Sequence, residues 1–132
     1  MNVLNGGAHA DNGLDVQEFM VVPRLMNYKE SLRAGAEIFQ SLKKILKEKK
    51  LSTAVGDEGG FAPKLESNEQ ALGLLEQAIK AASYVPGVDV FIALDVAATE
   101  FYEAGHYHWE NRKITSKEMT EIYKQWVEKY PI

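Results

Sequence analysis

Residues 88–94 read VDVFIAL, a nearly unbroken run of β-branched and apolar side chains that is followed by Asp95. Such a run is typical of a strand that is buried on both faces, as strands of parallel sheets are. A carboxylate at the end of an apolar strand is costly to bury without a partner. Asp95 therefore indicates either a bound cation or an ordinary turn or helix cap.

Three amphipathic helical patterns surround this strand. The first lies between Tyr28 and Lys49, the second follows the capping-box sequence SNEQ at residues 67–70, and the third follows TSKE at residues 115–118. Their predicted apolar stripes are Leu32, Ala36, Phe39, Leu42 and Leu46; Leu72, Leu75, Ile79 and Ala82; and Met119, Ile122, Tyr123 and Trp126. Because apolar runs at residues 1–4 and 17–22 read as strands, the order is strand, strand, helix, helix, strand, helix. This is an α/β order within one domain.

Residues 100–110 predict a β-hairpin that turns at Ala104 and Gly105, with aromatic side chains on both strands. His106 and His108 alternate on the second strand and face one side together. They lack a nearby third ligand, which makes them a poor zinc site, because structural zinc takes four ligands.

The composition excludes several classes of function. A net charge of −4 and a pI near 5.4 argue against a surface for nucleic acids or anionic membranes, which require clustered positive charge. The chain has no cysteine, so it has neither disulfides nor thiolate metal sites. No apolar segment reaches the roughly 20 residues of a membrane span. We therefore expect a folded protein of a reducing compartment.

Residues 55–63 read VGDEGGFAP, in which Asp57 and Glu58 lie among three glycines. Glycines permit tight turns and close backbone approach, and Pro63 fixes the exit. The segment indicates either a rigid loop that presents an acid to a reacting group or an ordinary Asp-Gly turn. A second polar loop, NGGAHADNGLD at residues 5–15, carries His9, which taken alone is typical of a solvated side chain.

Four segments together, MNVLNGGAHADN, VQEFM, AVGDEGGFAP and ALDVAATEFY, resemble the enolase family, the phosphopyruvate hydratases, in order and spacing. The resemblance covers residues 1–132 and corresponds to an internal part of an enolase, the first half of its C-terminal catalytic barrel domain. It implies a truncated, partial TIM-type (β/α) barrel with its catalytic residues at the C-terminal ends of the strands. It also implies a cytoplasmic enzyme of glycolysis and gluconeogenesis that reversibly dehydrates 2-phospho-D-glycerate to phosphoenolpyruvate with Mg²⁺.

The resemblance implies roles for five residues. Glu58 corresponds to the general acid that protonates the departing hydroxyl, which requires a carboxyl able to hold a proton near neutral pH, as burial beside other carboxylates allows. Glu18 is implied to act beside Glu58, and His9 and Gln17 are implied to line the substrate pocket. Asp95 corresponds to a carboxylate ligand of Mg²⁺, which prefers hard oxygen ligands.

The other acid of the glycine turn, Asp57, is expected to hold the turn through backbone hydrogen bonds. The lysine base, the remaining metal carboxylates and the phosphate-binding arginine of enolases have no counterpart here, so we expect this chain to be incomplete for catalysis by itself. Full-length enolases form homodimers or larger homo-oligomers. The alternative interpretation is a non-catalytic barrel fragment, or partial gene product, that acts as a binding module, whose two unpaired strand edges would favour self-association.

Overall fold

The computed structural model describes residues 1–132 as two three-stranded sheets and three α-helices. The larger sheet contains β1 (Asn2–Asn5), β2 (Glu18–Pro23) and β3 (Val90–Asp95), and the smaller one contains β4 (Tyr102–Glu103), β5 (His106–Trp109) and β6 (Arg112–Ile114). The helices are α1 (Tyr28–Glu48), α2 (Asn68–Ala81) and α3 (Ser116–Lys129). The predicted order of the main elements is confirmed. None of the helices combines the length and the apolar character that crossing a bilayer requires.

The larger sheet is antiparallel throughout, so the prediction of a parallel strand at residues 88–94 is wrong. β2 lies between β1 and β3 and runs opposite to both, and the sheet does not close into a barrel. Along β3, Val90 and Ile92 are buried whereas Phe91 and Ala93 are only partly buried. The expected burial on both faces fails because α1 and α2 pack against one face only.

The outer edges of this sheet are partly occupied. Phe61 pairs with β1, since its N–H donates to Val3 O at 2.9 Å and its carbonyl accepts from Asn5 N at 2.8 Å. On the other edge, Ile92 N of β3 donates to Pro131 O at 2.8 Å. The expectation of two unpaired edges is therefore wrong for β1, and β3 is bonded at its centre.

The face of α1 that packs on the sheet differs from the predicted one. Its buried residues are Ala34, Gly35, Ile38, Leu42 and Leu46. The two leucines follow the prediction, but Leu32 and Ala36, which the spacing placed in the core, are exposed. A Cβ on Gly35 would lie 3.4 Å from the Met1 side chain, so the helix approaches the sheet through its smallest residues and turns Leu32 outward.

The two predicted capping boxes have different outcomes. At α3 the box is confirmed, because Thr115 Oγ1 accepts from Glu118 N and Glu118 Oε2 accepts from Thr115 N at 2.7 Å. These bonds stabilise the carboxylate and lower the pKa of Glu118. At α2, Ser67 Oγ accepts from Gln70 N at 3.2 Å, but the Gln70 side chain accepts from Glu66 N instead of completing the box.

The predicted hairpin is confirmed, with positive φ at both Ala104 and Gly105 in its turn. A third strand, β6, which the sequence analysis missed, pairs with β5. The two histidines of β5 have separate partners: His106 Nδ1 lies 3.2 Å from the Ala104 carbonyl oxygen, and His108 Nε2 lies 3.4 Å from Glu103 Oε2. No third metal ligand joins them.

An aromatic cluster attaches this smaller sheet to α3. Trp109 of β5 is buried, with its ring centroid 5.6 Å from that of Trp126 and 6.5 Å from that of Tyr123. The Tyr123 hydroxyl is buried without a hydrogen-bond partner. Burial, with a smaller contribution from Tyr107, raises the pKa of Tyr123 to about 12.

Replacing Tyr123 with phenylalanine tests this orphaned hydroxyl. The phenol has a pKa of about 12 in the folded chain and about 10 in the unfolded chain. This group therefore leaves the free energy of unfolding unchanged below about pH 10 and lowers it as the pH rises from about 10 to about 12. We expect Tyr123→Phe to raise the free energy of unfolding at neutral pH by up to about 1 kcal/mol and to flatten its alkaline decline. Urea unfolding at several pH values measures both effects. Tyr28→Phe, at an exposed position, is the control, and equal alkaline declines in the Tyr123→Phe and original chains would contradict the prediction.

Candidate functional site

The loop between β1 and β2 is closed by backbone hydrogen bonds and carries His9. Gly6 N donates to Gln17 O at 3.0 Å, and Gly7 N donates to Leu14 O at 2.8 Å, so the two ends of the loop stay together. A short 3₁₀ turn over Gly7–His9 follows. The His9 side chain is only 22% exposed, so it is not the freely solvated imidazole that a polar loop suggests.

Asn12 holds this loop against the glycine turn. Its side chain is buried, and Nδ2 donates to Asn5 O at 2.8 Å and to Pro63 O at 3.1 Å. Its Oδ1 accepts from Leu14 N at 3.3 Å. One carboxamide therefore connects the end of β1, the loop and the exit of the glycine turn.

Asn68, the first residue of α2, is fully buried and uses every hydrogen-bonding position of its carboxamide. Its Oδ1 accepts from Asp15 N at 2.9 Å and from Val16 N at 3.1 Å. Its Nδ2 donates to Asp15 Oδ2 at 2.8 Å and to Glu110 Oε1 at 3.1 Å. Glu110 N also donates to Asp15 Oδ2 at 3.0 Å. The network joins the His9 loop, α2 and the turn between β5 and β6.

Converting this amide to an acid tests the network. In Asn68→Asp the donor is lost, and a carboxylate faces the Asp15 and Glu110 acids in a buried position. We expect the free energy of unfolding to fall by about 3 kcal/mol or more, because unpaired buried polar groups each cost about 1–3 kcal/mol. Gln77→Glu, an amide-to-acid change at an exposed position of the same helix, is the control. Equal losses in the two variants by chemical denaturation would rule out this role for Asn68.

The glycine turn, residues 55–63, packs closely against β1 and against the loop of residues 5–15 that carries His9. Gly56 N donates to Gly60 O at 2.8 Å, and Asp57 N lies 3.4 Å from His9 O as a long hydrogen bond. A Cβ on Gly60 would lie 2.6 Å from Asn5 Oδ1 and 2.8 Å from a backbone nitrogen of β1. The Asp57 carboxylate accepts no hydrogen bond and is exposed, so the expectation that it holds the turn is wrong; backbone bonds and close packing hold it.

Adding a methyl group at Gly60 tests this close approach. We expect Gly60→Ala to destabilise the fold by roughly 1–3 kcal/mol, as overpacking does, and to displace the turn. Gly73→Ala is the matched control, because nothing lies within 4 Å of a Cβ at this helical position. The control is expected to stabilise the chain by about 0.5–1 kcal/mol. Thermal unfolding of both variants decides the question, and a Gly60→Ala chain as stable as the original would contradict it.

Three of the predicted site residues converge at one end of the larger sheet. His9 Nδ1 lies 3.9 Å from Glu18 Oε1, and one side-chain N or O atom from each of His9, Glu18 and Glu58 lies within 4.8 Å of the other two. Glu18 is 20% exposed, whereas Glu58 is exposed. The burial that the implied acid role requires is therefore not provided to Glu58 by this chain.

The other two predicted site residues lie next to this group. Asp95 is paired with Glu18 across β2 and β3, which directs their side chains to the same face of the sheet. Asp95 Oδ1 accepts from Ala97 N at 3.0 Å, so it acts as a turn-stabilising acid. Gln17 precedes β2 and is partly buried, with its Cβ 3.2 Å from a Cβ position on Gly7.

The residues present do not make up a Mg²⁺ site by themselves. Mg²⁺ requires near-octahedral oxygen coordination. Asp95 supplies one exposed carboxylate, one oxygen of which already accepts a backbone amide. It belongs to no group of three ligating side chains. Any Mg²⁺ bound at Asp95 would therefore need further ligands from outside these residues.

Comparison with known proteins identifies the family to which the chain belongs. Residues 1–132 match the model of the enolase C-terminal TIM-barrel domain over the whole chain. The chain belongs to the enolase family. The enolase of Bdellovibrio bacteriovorus is 65% identical over 133 residues, which cover 100% of this chain and 32% of that protein. The chain thus spans about a third of the length of this curated enolase.

Within this enolase chain, sequence reasoning missed the residues that hold the site. Asn12 lies in a loop rich in glycine and aspartate, where asparagine is ordinarily a turn residue. Asn68 lies within the sequence SNEQ, which predicts only the start of a helix. The one available signal was its position between a capping serine and the helix, and that signal does not distinguish a buried asparagine from an exposed one.

Proposed function

We propose that this enolase chain supplies part of the site for the reversible, Mg²⁺-dependent dehydration of 2-phospho-D-glycerate to phosphoenolpyruvate in glycolysis and gluconeogenesis. The observation that supports this most is the convergence of His9, Glu18 and Glu58 within 4.8 Å. The three come from separate segments and meet where β1 ends and β2 begins. Asp95 ends β3 at the same edge, and strand ends of this kind carry the active sites of TIM barrels.

The dehydration removes a proton from one carbon of the substrate and a hydroxyl from the next. In our proposal Glu58 is the general acid that donates a proton to the departing hydroxyl, which leaves as water. Its exposure leaves the carboxyl accessible to a substrate. Glu18 acts beside it, and His9 and Gln17 contact the substrate. None of these residues is assigned as the base that removes the carbon-bound proton.

The chain is proposed to be insufficient for this reaction alone. Its acids lie on an uncovered face, where water screens charge, whereas catalysis by preorganised charge needs a site that excludes water. The remaining two thirds of an enolase of ordinary length would supply the missing base, metal ligands and cover. A glycolytic role further places the protein in the cytoplasm, as a homodimer or larger homo-oligomer of the complete chain.

A second candidate, a non-catalytic binding module, is favoured by one observation. Met26, Tyr28 and Leu32 are 93%, 80% and 53% exposed, and they lie close together in sequence at the start of α1. Exposed apolar side chains grouped in this way favour association with another surface. A chain that associates but contributes nothing to catalysis in a complete enolase would support this alternative.

A chimaeric enzyme tests the proposed function. Residues 1–132 replace the matching segment of Bdellovibrio bacteriovorus enolase, and phosphoenolpyruvate formation is followed by its absorbance. We expect the chimaera to be active and the isolated chain to be inactive. Glu58→Gln in the chimaera should lower the rate by about 10²–10⁴-fold, the usual contribution of a general acid. Asp57→Asn, the adjacent exposed acid, is the matched control and should change the rate little.

Two results would contradict the proposal. Equal losses in Glu58→Gln and Asp57→Asn would show that the turn matters only for local charge. Clear turnover by the isolated chain that Glu58→Gln abolishes would show that the site is complete without the rest of an enolase.

A further inference from the structure

Asparagine is followed by glycine at two places in the chain, Asn5-Gly6 and Asn12-Gly13, and both lie between the end of β1 and the start of β2. Asparagine is thermolabile, because the backbone nitrogen of the next residue can attack its carboxamide carbon. Glycine as the next residue favours the attack, since it has no side chain to hinder the approach and adopts backbone conformations that other residues avoid. Both pairs are therefore chemically competent for this reaction.

The first pair, Asn5-Gly6, is held by the sheet. Asn5 is fully buried, is paired with Glu18 of β2, and donates its N–H to Phe61 O at 2.8 Å. The Gly6 nitrogen, which would be the nucleophile, is buried and donates to Gln17 O at 3.0 Å. Reaction at Asn5 therefore requires β1 and β2 to separate first.

The second pair, Asn12-Gly13, has a free nucleophile. Gly13 is exposed, nothing lies within 4 Å of a Cβ position on it, and its nitrogen makes no hydrogen bond. The Asn12 Oδ1 accepts from Leu14 N at 3.3 Å, and a hydrogen bond to this oxygen makes the carboxamide carbon more electrophilic. The nucleophile and the carboxamide belong to adjacent residues, so rotation about the bonds of Asn12 brings them together.

The fold opposes the reaction at Asn12 through the bonds of its amide nitrogen. Nδ2 donates to Asn5 O at 2.8 Å and to Pro63 O at 3.1 Å. Asn12 is the one buried residue among residues 8–13, so few buried contacts hold this part of the loop. Such segments open locally at a lower free energy than core strands do. A local opening is thus enough to release Asn12, whereas Asn5 is released when the sheet comes apart.

We propose that Asn12 is a site of spontaneous deamidation in the folded chain and that Asn5 is not. The Gly13 nitrogen forms a bond to Asn12 Cγ, and the bond from Cγ to Nδ2 breaks. Nδ2 leaves as ammonia with the proton that the Gly13 nitrogen gives up. Water then opens the resulting succinimide ring at either carbonyl carbon, which yields aspartate or isoaspartate at position 12. Water is the only co-reactant that the reaction needs.

The product breaks a connection between two loops of the candidate site. Aspartate has no amide donor, so its carboxylate would face the Asn5 and Pro63 carbonyl oxygens that Nδ2 now satisfies. Isoaspartate also lengthens the backbone of the loop by one carbon atom. In both products the loop that carries His9 loses this link to the glycine turn that carries Glu58. The inference concerns the ageing of the folded chain and does not rest on the proposed lyase activity.

Peptide mapping of the aged chain tests the site. The untagged chain is kept in mildly alkaline buffer, well below its unfolding temperature, and mass spectrometry follows the replacement of NH₂ by OH at each asparagine. We expect the modified fraction at Asn12 to rise steadily, with isoaspartate among the products and ammonia released. Asn5 should stay unmodified in the folded chain and should react once the chain is unfolded in urea.

Variants connect the reaction to Gly13. Gly13→Asn should abolish most of it, because a side chain at this position hinders the attack, while asparagine tolerates the left-handed backbone of Gly13, which has a φ of 81°. Gly105→Asn is the matched control and should leave the rate at Asn12 unchanged, since Gly105 has a φ of 86°, has nothing within 4 Å of a Cβ position and follows an alanine.

Thermal unfolding measures the consequence. The original chain should lose stability as it ages, because a buried donor has been removed, and the Gly13→Asn chain should not. If Gly13→Asn fails to fold, the comparison of Asn12 with Asn5 in the original chain still decides the question. Reaction at Asn5 as fast as at Asn12 in the folded chain, an unchanged rate in a folded Gly13→Asn, or no reaction at Asn12 until the chain unfolds would overturn the proposal.

Discussion

The position of the His9 loop depends on buried carboxamides, and that of Asn68 reaches the most distant segments. Asn68 bonds to residues 53 positions before it and 42 positions after it, so three segments that are distant in sequence share one point. All four hydrogen-bonding positions of the carboxamide are used, and in a low dielectric such a complete network is both strong and intolerant of loss. The loop that carries His9 has no regular strand or long helix of its own. Besides its own backbone hydrogen bonds and Asn12, its geometry therefore depends on α2 and on the turn after β5.

The two faces of the open antiparallel sheet have different roles: one contains the core and the other carries the candidate site residues. The face that α1 and α2 cover is apolar and contains the core, with Phe19, Val21 and Ile92 fully or nearly fully buried. The opposite face carries Glu18 and Asp95 side by side at one end. Asp95 is exposed to solvent there, whereas the Glu18 side chain is 20% exposed. Strong electrostatic effects would require a further layer of protein over them, because bulk water weakens interactions between charges.

Much of the fold follows from sequence patterns, and the errors have a common physical cause. Helical periodicity and capping residues located all three helices, and the turn at Ala104 and Gly105 located the hairpin. An apolar run does not encode the direction of its neighbours, so β3 was expected to be parallel. Spacing likewise defines a stripe on α1 without defining which residues touch the sheet, so Leu32 was misplaced. Both errors concern contacts between elements, which depend on partners far away in sequence.

The candidate site was predicted on different grounds. The apolar run before Asp95 and the glycines around Glu58 made these two acids candidates, but the roles of all five residues came from a resemblance in four segments. The residues that hold the site, Asn12 and Asn68, could not be recognised, because an asparagine in a loop or at a helix start is ordinarily exposed. Asp57 shows the reverse error, since an acid beside glycines was expected to bond to the backbone. Burial, which distinguishes these cases, is a property of the folded chain.

The reversed direction of β2 has a consequence for how the site assembles. His9 and Glu18 belong to consecutive strands joined by one loop, so they meet as soon as β1 and β2 pair, and closing a loop of this length is fast. Glu58 and Asp95 join this pair only through contacts between segments that are distant in sequence, and such contacts form more slowly. We therefore expect the candidate site to form in two stages, with the imidazole–carboxylate pair formed locally and the remaining acids added when the chain beyond α1 folds back onto the first hairpin.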